Sequence, residues 1–242
     1  MLCCNLSRRR RTKLARKLLT VSLIVLLVVL VALHLIILPR ASGGYDDECY
    51  LSDEKRRTLR IMAQNISRVF DKFGVQYWLD YGTLLGAYRT GDIMPHDHDA
   101  DISFILSTES LDAYWELSKL GIKANGMVAV FGDVNVDFMR WIPANKTTRG
   151  RTEVMLYKYY PASSRDNFIV KYHHTLETFP QSWVVPSARI NFHGVDVSFP
   201  NSPELLLAFR YPYTFGTFGF QFPYKWKCWV PCWLRESNGC RH

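Results

Sequence analysis

The sequence predicts a mixed domain of the α/β or α+β kind, carried behind a single N-terminal transmembrane helix. Three observations lead there: one long apolar run near the N-terminus, helical periodicity interleaved with short β-like runs from residue 52 onward, and a Gly-Asp pair between two strand-like segments. A length of 242 residues suits one domain with an accessory segment. With 48% hydrophobic, 21% charged and 14% aromatic residues, the composition excludes a disordered tail, a collagen or a coiled coil.

Residues 1–17 form a basic tail with Arg8, Arg9, Arg10, Arg11, Lys13, Arg16 and Lys17 and no acid. Nearly all of the net charge of +8 sits there, so the remainder offers no basic face and nucleic acid is not an expected partner. Residues 18–38 are apolar except for Thr20, Ser22 and His34. At about 1.5 Å per residue such a helix crosses the ~30 Å hydrocarbon core of a bilayer. A cleaved signal is the alternative, but the run exceeds the usual ~7–15 apolar residues and ends in Leu38-Pro39-Arg40, without a small-x-small site. An uncleaved signal anchor is therefore expected, with the cationic tail in the cytosol and everything after Pro39 in the lumen. Cys3 and Cys4 face the cytosol, as acylated or free thiols.

A short linker, 39–51, leaves no room for a stem domain, and the lumenal domain occupies 52–242. Ser52 followed by Asp53 and Glu54 opens a helix. Leu59, Met62, Ile66, Val69 and Phe73 carry its apolar face, and Gly74 closes it. Val75–Leu79 reads as a strand leading into Asp80-Tyr81-Gly82-Thr83, and Ala100–Leu106 as another. Thr108–Leu120 reads as a helix capped at Thr108 or Ser110. Met127–Phe131 and Val134–Trp141 flank Gly132-Asp133, the signal for a type II′ hairpin. Val154–Tyr160 and Phe168–Tyr172 are β-like, and Pro203–Phe209 is helical.

Four cysteines lie on the lumenal side: Cys49, Cys228, Cys232 and Cys240. In an oxidising compartment an even number reads as disulfides. Cys228, Cys232, Cys240 and His242 are alternatively ligand types for zinc. The sequons at Asn65 and Asn145 agree with lumenal exposure, and Asn145, after Pro143 in a loop-like stretch, is the better acceptor.

Pro95-His96-Asp97-His98-Asp99-Ala100-Asp101-Ile102-Ser103-Phe104 carries the chemistry. On a strand, alternation lines up Asp97, Asp99 and Asp101 while Ala100, Ile102 and Phe104 face the core. Crowded carboxylates repel unless a divalent cation compensates them, and Mg²⁺ or Mn²⁺ leaves coordination positions for phosphate. A solvated acidic turn is the bland alternative. Gly82 and Thr83, just past an apolar strand, suit close approach to a phosphate; Arg89 can fork onto its oxygens. Asp137, opposite Val136 and Phe138 in alternation, is a further ligand or a base, or an ordinary surface residue.

Tyr77-Trp78-Leu79-Asp80-Tyr81-Gly82-Thr83-Leu84-Leu85-Gly86-Ala87-Tyr88-Arg89, followed by Pro95 to Asp101, resembles the signature of the LicD family. That family includes bacterial phosphocholine transferases and the catalytic domains of fukutin and fukutin-related protein. The resemblance runs from about Glu54 to Pro223, with Gly194–Pro200 and Leu205–Tyr211 similar to the family's closing segment. It implies a nucleotidyltransferase-like mixed sheet with flanking helices. The implied activity is metal-dependent transfer of a phosphorylated alcohol (ribitol, glycerol or choline phosphate) from a CDP-activated donor to a glycan, in the Golgi or endoplasmic reticulum. By position, Asp97, Asp99, Asp101 and Asp137 are the implied catalytic carboxylates, the first three holding Mg²⁺ or Mn²⁺. Gly82, Thr83 and Arg89 are the implied donor-phosphate contacts. His96 replaces the family's usual Trp, and Tyr81 stands where a small residue is common.

Two rivals remain. His96-x-His98 is a possible zinc pair, but the hydrolase pattern H-x-H-x-D-H needs Asp at 100 and His at 101, where this chain has Ala100 and Asp101. A non-catalytic lumenal glycan-binding or chaperone-like protein of the same fold is the other, and the intact acidic cluster speaks against it.

Overall fold

The computed structural model describes residues 2–33, 49–164, 167–212 and 215–216. The N-terminal part is one helix, α1 (Leu2–Ala32), whose stretch Lys13–Ala32 is long and apolar enough to cross a membrane and is wholly exposed. Residues 39–48 of the expected linker, and Cys228, Cys232, Cys240 and His242, lie outside the described residues. Cys49 and Leu51, however, are buried at 5% and 3% exposure, and the Leu51 N–H donates to Pro95 O at 2.8 Å. The domain therefore starts earlier than residue 52, because two apolar side chains of the expected linker find a place in the core.

The domain is a mixed sheet with flanking helices. Helix α2 (Asp53–Phe73) begins at Ser52, whose Oγ accepts from the Lys55 N–H at 3.3 Å, and ends at Gly74 with φ 70°. It lays Leu59, Met62, Ile66, Val69 and Phe70 on the sheet. Strand β1 (Tyr77–Leu79) leads directly into helix α3 (Tyr81–Thr90). The sequence reading has no helix here; Asp80 caps it, its carboxylate accepting from the Tyr81 N–H at 2.8 Å. Strand β2 (Asp99–Ile105) and helix α4 (Thr108–Lys119) follow. The cap of α4 is Ser107, one residue before Thr108 and three before Ser110, and Ser110 Oγ accepts from its N–H at 3.4 Å.

Strands β3 (Lys123–Ala124), β4 (Val128–Phe131) and β5 (Val134–Thr148) complete the centre of the sheet, in the order β1-β2-β5-β4-β3. The β4–β5 loop has positive φ at Gly132 (62°) and not at Asp133, as a type II′ turn requires. The far half of β5 pairs with β6 (Arg151–Lys158) across Arg149-Gly150, both at positive φ, and Pro143–Val154 project as an exposed ribbon. Helix α5 (Phe168–Leu176) corrects the β-like reading of Phe168–Tyr172. Its Phe-Ile-Val start carries strand-like composition, but its far half packs beside β6, with His174 stacked on Tyr157. Strand β7 (Phe179–Pro180) pairs with β6. A separate hairpin of β8 (Ala188–Phe192) and β9 (Val195–Phe199) precedes helix α6 (Pro203–Arg210). Edge-to-face contacts of Phe70 with Tyr77 and Phe104 mark the core between α2 and the sheet.

Candidate active site

The site forms where β2 and β5 run parallel. Their register sets Asp101 beside Asp137 and Ile102 beside Phe138. Alternation buries Ala100 and Ile102 on β2 and Val136 and Phe138 on β5, leaving Asp99, Asp101 and Asp137 half-buried. Asp137 also accepts from Asn135 Nδ2 at 3.1 Å. Asp97 is not on the strand: β2 begins at Asp99, and the preceding turn is closed by the Asp97 N–H donating to Met94 O at 3.0 Å. His96 and His98 belong to the same segment before β2. The turn nevertheless aims the Asp97 carboxylate at the same place.

Helix α3 supplies the other wall. The Gly82 N–H in its first turn donates to Asp101 Oδ2 at 3.1 Å, as a helix N-terminus offers to an anion. A Cβ on Gly82 would stand 2.6 Å from Asp97 Oδ2, so only glycine leaves room for that carboxylate. The fully buried Thr83 hydroxyl accepts from the Asp101 N–H at 2.8 Å. Its structural role is thus to pin the start of β2 to α3. Arg89 stands about 10 Å further along the helix axis, seven residues from Gly82, and its Nη2 donates to Phe215 O at 2.8 Å. The structure brings Asp97, Asp99, Asp101, Asp137, Gly82 and Thr83 together and leaves Arg89 apart from them.

Burial, with the neighbouring Asp99 carboxylate second, pushes Asp97 up to about 7. Burial and Asp137 raise Asp99, and burial followed by Asp99, Asp97, Asp80 and Asp137 raises Asp101 well above the usual carboxylate range. Asp97 Oδ2 is buried and has no hydrogen-bond partner among the described residues. Among those residues no three His, Cys, Asp or Glu side chains form a ready metal group. The two facts are compatible. The oxygens are crowded, desolvated and short of counter-charge, which is the donor chemistry a hard divalent cation suits, but these side chains are not drawn into a coordination shell.

Behind the cluster lies a pair that the sequence reading missed. Asp80 is fully buried, and Arg210 of α6 donates to it through Nε at 3.0 Å and Nη2 at 2.7 Å. Ser103 Oγ donates to the same carboxylate at 2.7 Å and accepts from Trp141 Nε1 at 3.0 Å. The Arg210 guanidinium lies 4.2 Å from the centre of the Tyr81 ring. Tyr81 takes a left-handed φ of 44°, rare for a non-glycine residue. Two signals were available in the sequence: Asp before a helix start, and a basic residue ending Pro203–Arg210. Nothing local joins them.

The remaining expectations fall out as follows. Cys49 is disulfide-bonded; Cys228, Cys232, Cys240 and His242 lie outside the described residues. Asn145 is exposed but sits on β5, opposite Val154, and not in a loop. Pro143 is tolerated because β5 runs past the end of its pairing with β2 at Trp141, so beyond it one edge of β5 has no ladder partner. Asn65 lies within α2, its Oδ1 accepting from Arg68 Nη1 at 3.2 Å, and Ser67 of its sequon is fully buried.

The human protein named Ribitol 5-phosphate transferase FKRP is 29% identical over 180 residues, covering 69% of this chain and 34% of its own length. The mouse protein of the same name is 29% identical over 163 residues, covering 64% and 31%. Human Ribitol-5-phosphate transferase FKTN is 27% identical over 77 residues, covering 32% and 17%. The chain thus spans about a third or less of the length of these relatives. A crystal structure of ANT(2")-Ia in complex with adenylyl-2"-tobramycin aligns at 15% identity and a TM-score of 0.39, covering 64% of this chain and 76% of that one. The family model described as LicD/FKTN/FKRP, nucleotidyltransferase domain, matches residues 74–202, from the end of α2 through both walls of the acidic site to the start of α6, and the chain belongs to that family.

Proposed function

We propose that this chain transfers a phosphorylated alcohol, of the ribitol-, glycerol- or choline-phosphate type, from a CDP-activated donor to a glycan. The observation that carries the reading is the set of four carboxylates around the β2–β5 junction, desolvated and mutually repelling, at the N-terminus of α3. Family membership and relatives named as ribitol 5-phosphate transferases support it. Asp97, Asp99 and Asp101 would hold Mg²⁺ or Mn²⁺, which supplies neutralisation of the donor's phosphate charge. The N-terminal turn of α3 favours the donor pyrophosphate. An acceptor hydroxyl attacks the distal phosphorus; the new O–P bond forms as the bond to CMP breaks, and the hydroxyl proton passes to a carboxylate, Asp137 in this reading. The N-terminal helix anchors the protein as a single-pass type II protein of the Golgi or endoplasmic reticulum membrane, with the domain lumenal.

The test is CMP release by the purified chain from a panel of CDP-alcohols with glycan acceptors and Mg²⁺ or Mn²⁺. Asp99→Asn and Asp101→Asn are expected to lower it by about 10³-fold or more and to abolish cation-dependent thermal stabilisation. Glycan binding without CMP release from any donor would instead support the non-catalytic reading.

A further inference from the structure

Between the β5–β6 ribbon and α5 lies a cavity of about 650 Å³ that the reaction described above does not use. Its size falls in the range of small-molecule sites. Tyr157, Lys158, Tyr159 and Tyr160 line one side, and Lys171 and His174 of α5 the other. Its walls are mainly apolar, with Ile142, Ala144 and Val170 beside the rings, and charged and hydroxyl groups stand among them. The His174 ring stacks on Tyr157 with centres 5.2 Å apart, and the Lys158 ammonium is paired with Glu177 at 3.0 Å. The Tyr160 hydroxyl donates to the same carboxylate at 3.4 Å.

Flat apolar ring faces edged with hydroxyl, carboxylate and ammonium groups match the surface of a sugar. A sugar ring offers an apolar C–H face and a rim of hydroxyls that both donate and accept. An acyl chain would use none of these hydroxyl and charged groups, and a bare phosphate would meet in Lys158 a lysine already neutralised by Glu177. The position of the cavity fits a chain-like ligand as well. At one end Lys158 reaches within 5.8 Å of the centre of the Tyr81 ring, and the next residue, Gly82, bonds Asp101. At the other end Ala144 borders the exposed ribbon. A ligand attached to a macromolecule needs this arrangement, with one end at the reacting groups and the other open to solvent.

We propose that this cavity holds the sugar chain of the acceptor and directs its terminal hydroxyl toward the acidic site. The assignment of the sugar as acceptor rests on the transferase reading; the binding of a sugar there does not. The experiment uses the full chain in detergent and an array of defined oligosaccharides, neutral and phosphorylated, without donor. The strongest ligand is then titrated in solution and used as the acceptor. His174→Ala and Tyr159→Leu are expected to weaken its binding about tenfold or more and to raise its KM by a similar factor, leaving kcat and the KM of the CDP-alcohol unchanged. Tyr160→Phe, which keeps the ring and removes one hydroxyl, tests the same wall where a larger change unfolds the protein; it is expected to weaken sugar binding measurably with an unchanged melting temperature. Loss of sugar binding in variants of a chain that never releases CMP upholds the cavity and sinks the transferase reading. A rise in donor KM alone, competition by CMP for the sugar, unaltered acceptor binding in all three variants, or no oligosaccharide bound at all overturns the proposal.

Discussion

At the scale of the residue, the site is governed by how little space and solvent its carboxylates have. Gly82→Ala places a methyl group 2.6 Å from Asp97 Oδ2, and a displacement of even ~1 Å at a positioned group costs about 10²-fold in rate. CMP release is expected to fall by that order with only a small change in melting temperature. Asp97 has a further consequence for pH. Its folded-state value, raised from 3.8 to about 7, means that the folded protein holds a proton which the unfolded chain gives up. Stability from this group is greatest below the unfolded value and is lost as pH rises through the window from about 4 to about 7. Without divalent cation, the melting temperature of wild type relative to Asp97→Asn is therefore expected to drop between about pH 4 and about pH 7, the range set by that shift. Added Mg²⁺ or Mn²⁺ should narrow the gap at the upper end. A wild type that gains on Asp97→Asn as pH rises would contradict the assignment.

At the scale of the element, the decisive joint is between α3 and β2. Thr83→Val is nearly isosteric and leaves the buried Asp101 N–H without its acceptor, a loss of about 1–3 kcal/mol. Both the melting temperature and CMP release should fall, while Thr83→Ser should restore both. A Thr83→Val chain of unchanged stability would show that the hydroxyl serves the donor phosphate alone. The same joint explains what could be read from sequence. Alternation revealed that Asp99, Asp101 and Asp137 share a side, because each strand repeats every two residues and the core demands Ala100, Ile102, Val136 and Phe138. The type II′ loop and α2 were legible from local turn and cap chemistry. Helix α3 was hidden by a three-residue strand that hands over to it at Asp80, and α5 by β-branched composition at its start. The Asp80–Arg210 pair is separated by 130 residues, and no local rule reports a contact of that range.

At the scale of the whole molecule, the proposed topology rests on the charged tail and the apolar helix that follows it. Protease added to intact microsomes is expected to trim the tail and spare the domain. Within the protected domain, Asn145→Gln should remove one N-glycan, seen as a mobility shift, because Asn145 is exposed on the ribbon. Asn65→Gln should cause no shift, since its sequon lies in α2 with Ser67 buried. Digestion of the domain in intact vesicles would reverse the orientation.

The buried pair also separates what is homologous from what can stand alone. The family match stops at residue 202, yet Arg210, the counter-ion of Asp80, lies beyond it on α6. A chain cut at the family boundary would keep every acidic residue of the site and lose the cation that holds the carboxylate behind it. Removing one partner of a buried pair costs about 3–5 kcal/mol, a large part of a domain's total stability. The smallest autonomous unit is thus longer than its evolutionary signature, and a search for minimal active fragments should begin at Cys49 and run past Arg210.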